Sequence, residues 1–165
     1  MKVKPKGKRT INSFMISNVC WNPLRLHSVH LGMKPSPPVI VVAEDEPLIR
    51  LLVVDVLTDE GFTVIEAEHG DAAVGILEKQ AAGIHLLFTD VHMPGTTDGI
   101  ELAHHTDRNY PWIAVLVSSG KARPDDALFP VSSRFLPKPY RLGEVVTLVC
   151  ELAAARQALM FELIR

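Results

Sequence analysis

From residue 38 onward the chain alternates short apolar runs with stretches whose apolar residues recur every three or four positions. Val39, Ile40, Val41, Val42 and Ala43 form an unbroken apolar run, as a strand covered on both faces requires. Residues 47–60 then place Leu48, Leu51, Leu52 and Val56 at helical spacing, and Gly61 stands where a helix would stop. The same alternation predicts a strand at 62–66, a helix at 71–82 closed by Gly83, a strand at 85–89 and a helix at 99–108. A strand at 112–117, a short strand at 134–136 and a long helix at 141–164 follow. The fourth helix is the exception. Residues 123–131 are few and carry Pro124 and Pro130, so it is expected to be short or absent. Apolar strands alternating with helices imply an α/β fold with a parallel sheet covered on both faces.

The first 37 residues break this pattern, with no sustained period and a turn-rich exit at Lys34-Pro35-Ser36-Pro37-Pro38. They hold seven of the 17 basic residues and none of the 19 acidic ones, so residues 38–165 carry 10 basic against 19 acidic, a formal −9. A basic, disordered extension (1–37) is therefore expected ahead of one acidic domain (38–165). An acidic domain binds nucleic acid poorly but suits a cation. No apolar stretch reaches membrane-spanning length, and the apolar residues near Phe14 are too interrupted for a signal peptide. Cys20 and Cys150 have no metal spacing and suggest no disulfide framework, so a cytoplasmic location is expected.

In an open parallel sheet, ligands bind beyond the carboxyl ends of the strands. Those ends carry Glu44-Asp45-Glu46, Asp90, Ser118-Ser119 and Lys138. Each alone has a plainer reading. The acidic run suits a helix start, Asp90 a turn or N-cap, the serines a loop, and Lys138 an exposed site between two prolines. Together they place three carboxylates, a hydroxyl and an amine on one edge. Crowded carboxylates call for a cation, and all-oxygen ligands favour Mg²⁺ over zinc. A carboxylate beside Mg²⁺ can attack phosphorus to form an acyl phosphate, with Lys138 and Ser118 steadying the phosphoryl oxygens.

Four motifs carry a resemblance to a known family: Val41-Val42-Ala43-Glu44-Asp45-Glu46-Pro47, Thr89-Asp90-Val91-His92-Met93-Pro94, Val117-Ser118-Ser119-Gly120 and Phe135-Leu136-Pro137-Lys138-Pro139-Tyr140. Residues 38–155 resemble the response-regulator receiver domains of two-component signalling. The resemblance implies a flavodoxin-like, doubly wound five-stranded parallel sheet in the order 2-1-3-4-5. It implies that Asp90 is the phospho-acceptor, that Asp45 binds Mg²⁺ directly, and that Glu44 helps hold the ion. The backbone carbonyl of His92 would complete the protein ligands. Ser118 matches the switch hydroxyl, Lys138 the phosphate-binding lysine and Phe135 the mobile aromatic, although Phe135 also reads as a core strand residue. Two departures stand out: one extra residue in Pro94-Gly95-Thr96-Thr97-Asp98-Gly99, and a short span from Ser118 to Lys138. His92 is also placed to influence an attacking water, and His104-His105 is expected on a solvated helix surface.

The implied function is a stand-alone phosphoryl-accepting response regulator, not a conventional enzyme, beyond its own phosphoryl transfer and autodephosphorylation. Its implied partners are a histidine kinase or histidine phosphotransfer protein and an unknown downstream protein. The sequence ends with the last helix, so no DNA-binding domain is expected. Two alternatives stay open. One is an Mg²⁺-dependent phosphatase-type hydrolase with an Asp nucleophile; such enzymes carry an acid where His92 stands. The other is a receiver-like adaptor that takes no phosphate, against which Asp45, Asp90, Ser118 and Lys138 argue.

Overall fold

A computed structural model describes residues 36–120 and 129–163, with side chains through residue 155. Its elements run β1 (Val39–Ala43), α1 (Pro47–Asp59), β2 (Thr63–Ala67), α2 (Gly70–Gln80), β3 (Ile84–Asp90), α3 (Gly99–Asn109), β4 (Ala114–Ser119), β5 (Arg134–Pro137) and α4 (Leu142–Leu163). A single 3-10 turn, Ala81–Gly83, links α2 to β3. The strands form one parallel sheet in the order β2-β1-β3-β4-β5, the order the resemblance implied. Predicted element ends fall within about two residues of these bounds. The expectations for the basic extension and for most of the fourth helix fall on residues 1–35 and 121–128, outside the described residues.

Alternation along the strands divides the core in two. Val41, Ala43, Leu87, Val115 and Val117 face α2 and α3, where they meet Leu77, Leu102 and Ala103. Ile40, Val42, Leu86, Phe88 and Leu116 face α1 and α4, where they meet Val53, Leu57, Val145 and Val149. Successive strand side chains point to opposite faces, so a strand apolar at every position serves two layers at once. β3 is buried at six of its seven positions, including Asp90 at its end. The acceptor candidate thus terminates the central strand of the sheet, covered on both faces.

Helix α1 turns only part of its apolar surface inward. The core takes Val53 and Leu57, while Leu48, Leu51 and Leu52 are exposed. This helix is apolar around most of its circumference, so spacing alone does not select the inward face. His105 is likewise half-buried with its ring against Tyr110, not solvated. Cys150 is half-buried on α4. Among the described residues, no helix is long and apolar enough to cross a membrane.

Candidate functional site

The parallel register aligns the strand ends, and with them the side chains the sequence singled out. Asp90 pairs across the sheet with Ser118, and Ser119 with Pro137. The Val91 N–H donates to the Ser118 carbonyl (2.9 Å) and the Lys138 N–H to the Ser119 carbonyl (2.8 Å), so the ladder continues past the last strand residues. Beyond β1, the Glu44 N–H donates to the Ala67 carbonyl (3.1 Å). The Arg50 guanidinium, one turn into α1, donates to the Glu44 carbonyl (2.6 Å). Backbone hydrogen bonds therefore fix each functional residue before its side chain is considered.

Glu44 is fully buried, and its Oε2 accepts a hydrogen bond from Lys138 Nζ at 2.8 Å. The same ammonium lies 2.9 Å from Asp90 Oδ1. That contact is an ion pair lacking hydrogen-bond geometry, which leaves buried Oδ1 with an unused lone pair. Asp90 Oδ2 accepts the His92 N–H (3.1 Å). Burial pushes the Glu44 carboxyl above its usual range, while Lys138 pulls it back. For Lys138, burial opposes the charge, but hydrogen bonding to Glu44 and attraction to Asp90 outweigh it and raise the ammonium to about 12. The partially exposed lysine stays cationic, and the enclosed glutamate bears the desolvation.

Carboxylate oxygens of Glu44, Asp45 and Asp90 lie within 4.8 Å of one another. Of these three acids, Glu44 and Asp90 share the Lys138 ammonium, and one buried oxygen takes no hydrogen bond. A hard divalent cation fits this donor set. Ser118 is fully buried with no hydrogen-bond partner for its Oγ. The side chains of Glu44, Asp45, Asp90, Ser118 and Lys138 thus meet in one place. His92 joins through its backbone and is itself exposed. Phe135 is half-buried, its ring 5.7 Å from that of Phe129.

Comparison with known proteins agrees with this geometry. Residues 40–149 match the model of the response regulator receiver domain. The chain belongs to that family. A solved response regulator receiver protein from Sinorhizobium medicae shares 30% identity and covers 73% of this chain and 97% of its own, with a TM-score of 0.68. The sensor kinase CckA of Brucella abortus is 33% identical over 120 residues, covering 68% of this chain and 12% of the kinase. The transcriptional regulatory protein PdtaR of Mycobacterium tuberculosis is 30% identical over 123 residues, covering 73% of this chain and 58% of its own. The receiver spans less than two thirds of either curated relative.

Sequence reasoning missed the residues that shape the loop after Asp90. The Asp71 carboxylate, in the first turn of α2, accepts from the Thr96 N–H (3.0 Å), the Thr96 hydroxyl (2.6 Å) and the Thr97 hydroxyl (2.7 Å). Gly95 has φ +122, and an added Cβ there would stand 2.5 Å from Asp71 Oδ2. The extra loop residue is thereby held against α2. Asp98 then caps α3, accepting from the Ile100 and Glu101 N–H groups, while Glu101 accepts the Asp98 N–H. This Asp-x-x-Glu box was readable in the sequence; the Asp71 contact, 25 residues away, was not. The receiver's Lys138–Pro139 bond is cis.

Hydrogen bonds from Thr96, then Thr97, lower the Asp71 carboxyl to about 2. A depressed carboxyl contributes stability above its ordinary pKa, and the contribution disappears as pH falls through the lowered value. The loop hydrogen bonds should therefore persist down to about pH 3 and be lost near pH 2. An NMR titration of the Asp71 carboxyl carbon tests this; a midpoint near 4 would show that the tether is not formed in solution.

Proposed function

We propose that this receiver captures a phosphoryl group on Asp90, donated by a histidine kinase or histidine phosphotransfer protein, and passes the signal on by protein–protein contact. One observation carries the reading. A buried carboxylate at the end of the central strand has an oxygen 2.9 Å from a lysine ammonium, within 4.8 Å of two further acids and opposite a buried hydroxyl. Asp90 Oδ1 forms the new P–O bond while the P–N bond of the phosphohistidine breaks, and the ring nitrogen keeps that electron pair. Lys138 screens the added phosphoryl charge, and Ser118 donates to a phosphoryl oxygen. Asp45, Asp90 and the His92 carbonyl would hold Mg²⁺, with Glu44 assisting; the ion would neutralise charge on the transferring group.

The same residues support loss of the phosphoryl group to water, with exposed His92 beside the acceptor. The receiver thereby catalyses its own phosphorylation and dephosphorylation and turns over no separate substrate. The hydrolase alternative has no second acid two residues after Asp90 to support it. The exposed Leu48, Leu51 and Leu52 lie in the first turns of α1, close in sequence to the acidic run, where a donor protein has apolar surface to meet.

The test is labelling with acetyl phosphate and Mg²⁺, followed by intact mass. The wild type should gain one phosphoryl group, and neither Asp90→Asn nor metal-stripped protein should gain any. Equal labelling of Asp90→Asn would remove Asp90 from the role.

A further inference from the structure

Three buried polar oxygens at the site take no hydrogen bond: Asp90 Oδ1, Ser118 Oγ and the Tyr140 hydroxyl. The first two belong to the reading above; the third has no part in it. Tyr140 follows Lys138 by two residues and precedes α4. Its ring packs edge-on to Phe88, centroids 6.2 Å apart, and forms part of the wall of a 470 Å³ groove with Lys138, Ile49 and Leu142. That packing turns the phenol oxygen inward, out of solvent. Burial raises the phenol to about 12, and Lys138 and the Ser118 hydroxyl pull against it, so these groups sense one another. The phenol keeps its proton and is a donor.

A buried hydroxyl with nothing to bond costs stability, and it persists where another state employs it. The Ser118 hydroxyl can donate to one group while accepting from another. We propose that Tyr140 is a positioning residue for phosphoryl capture, donating from its hydroxyl to Ser118 Oγ when Ser118 turns its own proton toward a phosphoryl oxygen on Asp90. Hydrogen bonds linked in series polarise one another, so each strengthens the next. Tyr140 acts through Ser118 and never touches the phosphoryl group. The role rests on Asp90 being the acceptor.

Initial rates of single phosphoryl gain from acetyl phosphate and Mg²⁺, in full-length protein, test it. Tyr140→Phe keeps the ring against Phe88 and removes a hydroxyl without a partner, so melting temperature should not fall. Its labelling should slow about three- to tenfold, the range of one net hydrogen bond. Tyr140→Leu, which also loses the ring, should be at least as slow as Tyr140→Phe. In a Ser118→Ala background, Tyr140→Phe should change nothing, whereas a Ser118→Thr background should keep the sensitivity. A Tyr140→Phe protein labelling at the wild-type rate, or losing the same factor without Ser118, overturns the role. Asp90→Asn separates the failures: if it labels like wild type, the acceptor reading falls too; if it stays blank, only the Tyr140 role is lost.

Discussion

Lys138→Met should lower stability by about 2–3 kcal/mol at neutral pH and reduce phosphoryl labelling to background. Glu44 is wholly enclosed, and Lys138 is the cation paired with both its carboxylate and that of Asp90. Removing one partner of a buried pair typically costs about 3–5 kcal/mol, because the other charge stays buried and uncompensated. Lys138 itself is 18% exposed, so water screens part of the interaction and brings the cost to the bottom of that range or just below it. Methionine fills the space of the lysine stem, so the loss reports charge and not a cavity. Urea unfolding should show a lower midpoint with an unchanged slope. Added Mg²⁺ should restore part of the loss, since a ligand that binds the folded state stabilises it by mass action. A variant as stable as wild type would mean that Glu44 is neutral in the folded protein. A variant indifferent to Mg²⁺ would count against the cation reading.

Gly99→Ala should be nearly as damaging, for a purely steric reason. A Cβ at residue 99 would stand 1.8 Å from the Asp90 carbonyl oxygen, 2.7 Å from its carbon and 2.8 Å from Val91 Cα. All three are backbone atoms, so no side chain can rotate away. The Gly99 N–H also donates to the Val91 carbonyl (3.0 Å), which draws the start of α3 against the end of β3. Relieving the clash must move α3 or Asp90. Overpacking of this kind costs about 1–3 kcal/mol. Labelling should suffer more, because a displacement of about 1 Å at a reacting group is worth a factor on the order of 100. Gly75→Ala is the control: an added Cβ there meets nothing within 4 Å, and exchanging a mid-helix glycine for alanine should gain about 0.5–1 kcal/mol. Equal behaviour of the two variants would show that the close approach at Gly99 is absent in solution.

Much of this was legible in the sequence because the chemistry sits at strand ends. The apolar runs around Val41, Leu87 and Val115 mark strands covered on both faces, and the polar residue that ends each run is the one the sheet edge presents. Glu44, Asp45, Asp90, Ser118 and Lys138 were found on that rule. What stayed hidden depends on contacts between distant residues or on a choice among equals. The turn of α1 that leaves Leu48 and Leu52 outside is invisible where nearly every side of the helix is apolar. Asp71 reads as an ordinary first-turn acid until the loop from residue 94 to 98 folds onto it. Gly99 reads as a helix start, and its proximity to the Asp90 carbonyl appears only once α3 is docked. Tyr140 reads as one more aromatic after a proline, because nothing local says where its hydroxyl ends up.

The tether from Asp71 to Thr96 and Thr97 carries a consequence for what the receiver ignores. Its carboxyl titrates about five units below neutrality, and the Lys138 ammonium about five above. Neither the Asp71 carboxylate that ties the loop nor the Lys138 ammonium changes charge as a cell acidifies or recovers. Many signalling proteins must separate their intended stimulus from metabolic drift in pH, and histidine in place of Asp71 or Lys138 would couple the two. With aspartate tying the loop and lysine in the pocket, these two groups keep the same charge through ordinary swings in acidity, so that drift gives neither of them a false signal.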